Sequence, residues 1–217
     1  MKLLALLQSH AIHSGDKTAH LLPDRTITYR RLWSRIERAA ARLQGEWRVQ
    51  PGEVVAICGD GHPDSLVLYC ALLRIGAQLL PLEGVHPHQA QCTLREMNVR
   101  LLVQADAAPI ADIQAPLVHA LSDMLAEWCH FDPLIVEENP ALPALWLPDI
   151  RDAARPLRAY ALHELGALPI ARVAVDVVDH IFHADTLAGS ILPALVAARP
   201  LHFAAIGVVK HSASPAF

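Results

Sequence analysis

The sequence predicts an α/β protein built on a doubly wound, mostly parallel sheet flanked by helices. Three observations carry that reading. Residues Gly52 to Leu82 spell strand, turn, helix, strand, a βαβ unit in about 30 residues. The alternation repeats after Gly84, with a helix from roughly Pro87 to Met97, ended by Asn98, and a strand at Leu101 to Gln104. Hydrophobic residues make up 53% of the 217, enough to build a substantial core. Residues 1–217 are therefore read as a single α/β domain.

In the central unit, Val54 to Cys58 is an apolar run of the length of a buried parallel strand. Gly59-Asp60-Gly61 turns the chain, and Pro63 takes a first-turn helix position. Ser65 to Arg74 is apolar nearly all round, as a helix packed on a sheet is. Gly76 stands where a left-handed residue ends a helix. Leu79, Leu80 and Leu82 make the second strand, stopped by Pro81, Glu83 and Gly84.

Upstream, Leu3 to His13 is a short amphipathic helix ended by Ser14-Gly15-Asp16. Thr18 to Leu22 and Thr26 to Thr28 form a hairpin about Pro23-Asp24-Arg25. Thr28 caps a helix whose apolar stripe is Leu32, Ile36, Ala39, Ala40 and Leu43. Arg30, Arg31, Arg35, Glu37 and Arg42 lie largely off that stripe. They suggest an anion site or a solvated helix face, and the solvated face is the simpler reading.

Downstream, prolines break the chain into short pieces. Leu121 to Trp128 is read as a helix, Leu134 to Val136 as a strand and Tyr160 to Leu165 as a helix. Val173 to Val178 is a strand, and Leu187 to Ala198 a helix kinked or shortened by Pro193. Leu201 to Val209 is a final apolar strand.

Composition excludes several classes. The net charge of −4 offers no basic excess for nucleic acid. No apolar run of about 18 residues spans a membrane, and the opening segment lacks a cleavage pattern. The four cysteines show no CxxC spacing and are read as reduced thiols of a cytoplasmic protein. Among 13 histidines, the pairs His10/His13, His86/His88 and His180/His183 lack the spacing of a zinc site, and no metal ligand set is assigned.

Several segments in order resemble one family. Thr28-Tyr29 with Leu32, then Pro51 to Ile57, then Ala71 to Ala77, then Leu80-Pro81-Leu82 are similar to the N-terminal part of AMP-forming acyl-CoA synthetases and related adenylate-forming ligases. The likeness covers residues 1–106 best, and 107–217 form a degenerate continuation. It describes scaffold rather than chemistry.

The resemblance implies a phosphate loop of the form T-S-G-T-T-G-x-P-K-G, whose backbone N–H groups, hydroxyls and lysine hold a triphosphate. The best-placed counterpart is Asp149, Arg151, Asp152, Arg155, Pro156 and Leu157, with His163 after it. No glycine occurs between Gly84 and Gly166, and Leu157 stands where the family has lysine. Either this is a degenerate loop or the loop is deleted, and both readings remove the phosphate site. A second stretch, Phe182-His183 with Asp185 and Gly189, resembles the family's F-H-x-x-G segment beside the carboxylic-acid pocket, with Thr186 in place of its glycine. The family's ribose- and metal-binding acids and its C-terminal lysine have no counterpart in the 217 residues.

Asp179, His180, His183 and Asp185 form the densest titratable cluster, readable as an acid/base site or as the polar rim of a vestigial pocket. Ser190 lacks a G-x-S-x-G context, and no catalytic residue is assigned. The resemblance implies a non-catalytic pseudoenzyme, an accessory module for an acyl or aryl acid or for a protein partner. The alternatives are half of a split carboxylate-adenylating ligase that needs a second polypeptide, and a relic. Neither ATP nor magnesium is expected as a cofactor. A homo-oligomer or a protein partner is expected, such as an intact ligase or a carrier protein, with Leu201 to Val209 as an uncovered apolar edge.

Overall fold

The computed structural model describes residues 2–59, 61–82, 85–105, 113–126, 129–139, 141–147, 157–167, 178, 181–183 and 186–203. Helix α1 (Leu3–His13) precedes the hairpin β1 (Thr18–Leu21) and β2 (Thr26–Thr28). Helix α2 (Tyr29–Gly45) leads to β3 (Val54–Cys58), α3 (Pro63–Ile75), β4 (Gln78–Pro81), α4 (Pro87–Glu96) and β5 (Leu101–Gln104). Then come β6 (Leu117–Ala120), α5 (Asp123–Ala126), β7 (Pro143–Leu147), β8 (Arg158–Ala161) and α6 (Leu162–Gly166). A π-helical turn (Leu187–Ile191), α7 (Leu192–Val196) and β9 (Leu201–His202) complete the described chain.

The larger sheet has the order β6-β5-β3-β4-β7-β8. All its neighbours are parallel except β7 and β8. From β3 the chain moves to β4 on one side and then crosses to β5 on the other, which is the winding the sequence predicts. Residues of β3 alternate between two cores. Val55 and Ile57 face α2 and α3, whereas Ala56 and Cys58 face α4 through Ala90 and Leu94. A strand buried on both faces reads as a continuous apolar run, hence VVAIC. The smaller sheet, β2-β1-β9, joins the first hairpin to a strand near residue 201.

Local chemistry accounts for the helix ends. The Arg31 N–H donates to Thr28 Oγ1 at 3.4 Å, and all five stripe residues of α2 are buried. Gly76 ends α3 with φ +74°, and a Cβ there would approach the Val136 side chain to 3.0 Å. At Gly45 a Cβ would lie 2.6 Å from the Phe131 Cβ, so the glycine admits that ring.

Five expectations are corrected. Tyr160 lies in β8, an edge strand, and only α6 after it is helical. Leu134 to Val136 is not a strand and lies outside both sheets, bonding instead to Gln44 and to the Arg74 carbonyl. The helix expected from Leu121 starts at Asp123 and is helical through Ala126, and residues 127–128 of that expectation lie outside the described residues. Arg35 and Arg42 are not solvated, because each meets a carboxylate, Asp64 and Glu46 respectively. Leu201 and Phe203 are buried, so this part of the apolar run is not uncovered apolar surface, although Leu201–His202 is the terminal strand of its sheet. Residues 204–209, and 173–177 of the proposed strand, fall outside the described residues. Val178 bridges to Phe203 in parallel. No described helix is long and apolar enough to cross a membrane.

Candidate functional site

Parallel strands point their carboxyl ends the same way, and open α/β sheets bind ligands outside those ends. Here that edge is formed by Cys58, Pro81, Gln104 and Leu147, with Arg158 of antiparallel β8 beside Leu147. The chain between β7 and β8 therefore leaves and re-enters at the ligand-binding end. Of the residues expected there, Asp149, Arg151, Asp152, Arg155 and Pro156 lie outside the described residues. Leu157 is half-buried and packs on the second core, alongside Trp146 and the β3–β4–β5 face. Arg158 is occupied: its Nη2 donates to Glu164 Oε1 at 2.5 Å, and its guanidinium lies 4.9 Å from the Tyr160 ring centre. Glu164 also accepts the Ala161 N–H at 2.9 Å, which fastens the first turn of α6 to the end of β8.

The second expected stretch lies next to α6. Phe182 is buried edge-on to Tyr69 of α3, with ring centres 5.9 Å apart and planes at 75°. His183 is exposed, and its carbonyl accepts the Leu187 N–H at 2.8 Å, opening the helical turn. Gly189 is buried inside the π turn. The Leu192 N–H reaches back to the Leu187 carbonyl, one residue beyond α-helical spacing. Pro193 follows at once; a widened turn relieves the clash between its ring and the preceding turn. Asp179, His180 and Asp185 lie outside the described residues. The structure thus brings the Phe182 segment beside the β8–α6 unit, with one aromatic anchor buried and one imidazole facing solvent.

Sequence reasoning missed a buried polar group of residues at the β3–α3 turn. Asp64 is the hub: Arg35 Nη2 donates to its carboxylate, and its backbone N–H donates to His62 Nδ1 at 3.1 Å. Ser65 Oγ, fully buried, donates to the Gly59 carbonyl at 3.4 Å. His20 of β1 is also fully buried, with its ring 5.0 Å from that of Phe203. Burial pushes the His20 pKa down to about 4; Asp64 opposes that shift and Arg35 adds to it. The imidazole is neutral in the fold, and neither ring nitrogen has a hydrogen-bond partner among the described residues. Tyr69 Oη is likewise buried without a partner there, and burial drives its pKa up. The signal that was available is Arg35 itself, which borders the apolar stripe of α2 one position before Ile36. These contacts set the shape of the turn at the sheet's carboxyl end and bring no nucleophile–base pair together.

A family profile described as AMP-binding enzyme matches residues 7–149. Over 180 residues the chain is 29% identical to carboxylic acid reductase of Mycobacterium tuberculosis, covering 71% of this chain and 15% of that protein. Over 99 residues it is 35% identical to the phosphinothricin tripeptide synthetase PhsC of Streptomyces viridochromogenes, covering 45% and 9%. The NpsA N-terminal subdomain of Klebsiella oxytoca superposes with a TM-score of 0.69 at 22% identity, covering 93% of this chain and 53% of that one. The O-succinylbenzoate coenzyme A synthetase MenE of Bacillus subtilis superposes with a TM-score of 0.73 at 14% identity, covering 92% and 43%. The chain therefore spans about half, or much less, of the proteins it matches. With the profile covering most of its length and the sheet order in place, the chain belongs to the AMP-binding enzyme family and carries the N-terminal fold of adenylate-forming ligases.

Proposed function

We propose that this chain is a non-catalytic adenylation-type module that binds an acyl or aryl acid, or a protein partner, without activating the acid. The observation that carries the reading is the β7–β8 connection. A triphosphate cradle needs closely approaching backbone N–H groups, and this span has no glycine. It also uses a cation; Leu157 supplies none where the family has lysine, Arg158 is held by Glu164 and the Tyr160 ring, and Arg151 and Arg155 lie outside the described residues. These features support a chain that does not take up ATP with magnesium. Exposed His183 beside buried Phe182 supports a carboxylate-binding role for that segment. The K. oxytoca NpsA N-terminal subdomain, a structural relative, is known in complex with 3-hydroxyanthranilyl-AMSN, which points to aryl acids as the first class to try.

The test is acid-dependent ATP–pyrophosphate exchange by the purified chain, alongside direct binding of a panel of aryl and medium-chain acids. The expected result is acid binding without exchange. Each lost transition-state contact costs about 10²–10³ in rate, so two losses leave no measurable turnover. Exchange by the chain alone, abolished by a substitution within it, overturns the proposal.

A second reading is half of a split ligase. Its N-terminal adenylation fold, with a β7–β8 span that lacks glycine, leaves chemistry that a second polypeptide would supply. Exchange that appears only when a second polypeptide is added would select it.

A further inference from the structure

The middle strand of the small sheet carries a sealed imidazole. His20 of β1 is fully buried, and neither ring nitrogen has a hydrogen-bond partner among the described residues. Its ring lies 5.0 Å from that of Phe203, centre to centre, with planes at 60°. Phe203 follows β9 directly and is itself buried. β9 is two residues long and is the terminal strand of its sheet. It aligns with β1 at two positions, His20 with Leu201 and Leu21 with His202. The Phe203 N–H donates to the Leu21 carbonyl at 2.9 Å and closes the seam.

We propose that His20 is an acid-sensitive latch: protonating its imidazole parts β9 from β1 while the large sheet stays folded. A charged imidazole in this position meets no acceptor among the described residues and bears the full cost of desolvation. Two charged side chains act on it. Asp64 of α3 favours the proton and Arg35 of α2 opposes it, and the two are bound to each other. His62 stands beside them, its Nδ1 accepting the Asp64 N–H at 3.1 Å. The flanking strands bring up Ile27, Leu201 and Phe203, none of them ionisable. His202, between the last two, is exposed on the opposite face.

The charge reaches solvent most easily through β9. β2 is tethered to β1 by a tight turn and aligns with it at three positions, so that side recloses at once. β9 is held at two, and withdrawing it lifts the Phe203 ring off the imidazole. The Val178 N–H bonds the His202 carbonyl at 2.7 Å on the other side of β9 and moves with it. The bond from Tyr29 Oη to the Arg199 carbonyl, 3.3 Å, releases with the seam. The large sheet takes no part in this pairing. With a pKa of about 4 when sealed and 6.5 when free, the parted state binds the extra proton between those values, so its population rises about twentyfold from pH 7 to pH 5.

The experiment is amide hydrogen exchange by NMR at pH 7 and pH 5, corrected for the intrinsic pH dependence. The reporters are the Phe203 N–H in the seam and the Leu82 N–H, which donates to the Ile57 carbonyl in the large sheet. Protection at Phe203 should lie below that at Leu82 at both pH values. It should fall about twentyfold on acidification in the unaltered protein and stay within about twofold in His20→Leu. Phe203→Ala keeps the reporter N–H and uncovers the ring, so the His20 imidazole should titrate nearer 6.5 than 4. Equal protection at Phe203 and Leu82 at pH 5 overturns the proposal, because the molecule then opens as a whole. So does a fall that persists in His20→Leu, or a His20 titration that Phe203→Ala leaves in place.

Discussion

Glu138 caps helix α1: its two carboxylate oxygens accept the Leu3 and Leu4 N–H groups at 2.6 and 2.8 Å. The helix has no cap of its own, since Lys2 offers no side-chain bond. Glu138 lies in a strap without helix or strand that runs from near Cys129 and touches α2 at Gly45 and Gln44, then α3 at the Arg74 carbonyl. Glu138→Ala should cost about 1–2 kcal/mol, the value of an N-cap strengthened by a charge at the positive end of the helix. The measurement is the urea midpoint. The neighbouring Glu137→Ala should leave that midpoint in place, because its ion pair with Lys2 is solvent-exposed. Equal effects from the two variants would dismiss the cap.

Arg35 and Asp64 link α2 to α3 by a largely buried ion pair. Asp64→Asn leaves the guanidinium without its counter-charge and should destabilise the fold by about 2–4 kcal/mol. Replacing both partners with apolar residues should recover most of that loss. If the single and double variants unfold together, the pair is not the cause.

His20 makes stability depend on pH. Its pKa is about 4 in the fold against 6.5 when free, so between those values the unfolded chain binds the extra proton. The contribution is complete above pH 6.5 and is lost as pH falls toward 4. The lowered pKa corresponds to a loss of about 3 kcal/mol at most. Unfolding free energy measured from pH 7 to pH 4.5 should fall more steeply in the unaltered protein than in His20→Leu. Identical slopes would remove His20 from the account.

These cases mark what was readable in the chain and what was not. The βαβ core was readable because each element announces itself locally: VVAIC by its continuous apolar run, Gly76 by its cap position, Thr28 by its hydroxyl. The helix expected from Tyr160 starts two residues later, because Tyr160 and Ala161 suit a helix as well as an edge strand and only pairing with β7 decides. Leu134 to Val136 has the composition of a strand, yet its partners are a glutamine side chain and a helix-end carbonyl. The Asp64 hub needs residues that the sequence keeps 29 positions apart. The lack of glycine between β7 and β8, in contrast, is a matter of composition and reads directly from the sequence.

Ile57 is fully buried in the central strand, facing α2 and α3. Ile57→Asp places a charge there and should cost several kcal/mol, enough to abolish soluble expression. A soluble variant with native circular dichroism would refute the strand's placement.

Under the proposed acid-binding role, His183 meets the carboxylate. His183→Ala should weaken binding of a responsive aryl acid by about tenfold, the value of one charge-assisted hydrogen bond. Calorimetry at neutral pH reads the change, and unchanged affinity would move the acid elsewhere.

The pairing of β1 with β9 has a consequence for the order of assembly. His20 aligns with Leu201, and Phe203 donates its N–H to the Leu21 carbonyl. On a ribosome the first hairpin emerges early, with one edge of β1 open until residues near 203 leave the exit tunnel. The βαβ centre depends only on close neighbours and forms first, since short loops close at the lowest entropic cost. The small sheet closes after the βαβ centre, and until then the nascent chain carries an unpaired edge that a chaperone, or a neighbouring nascent chain, can reach.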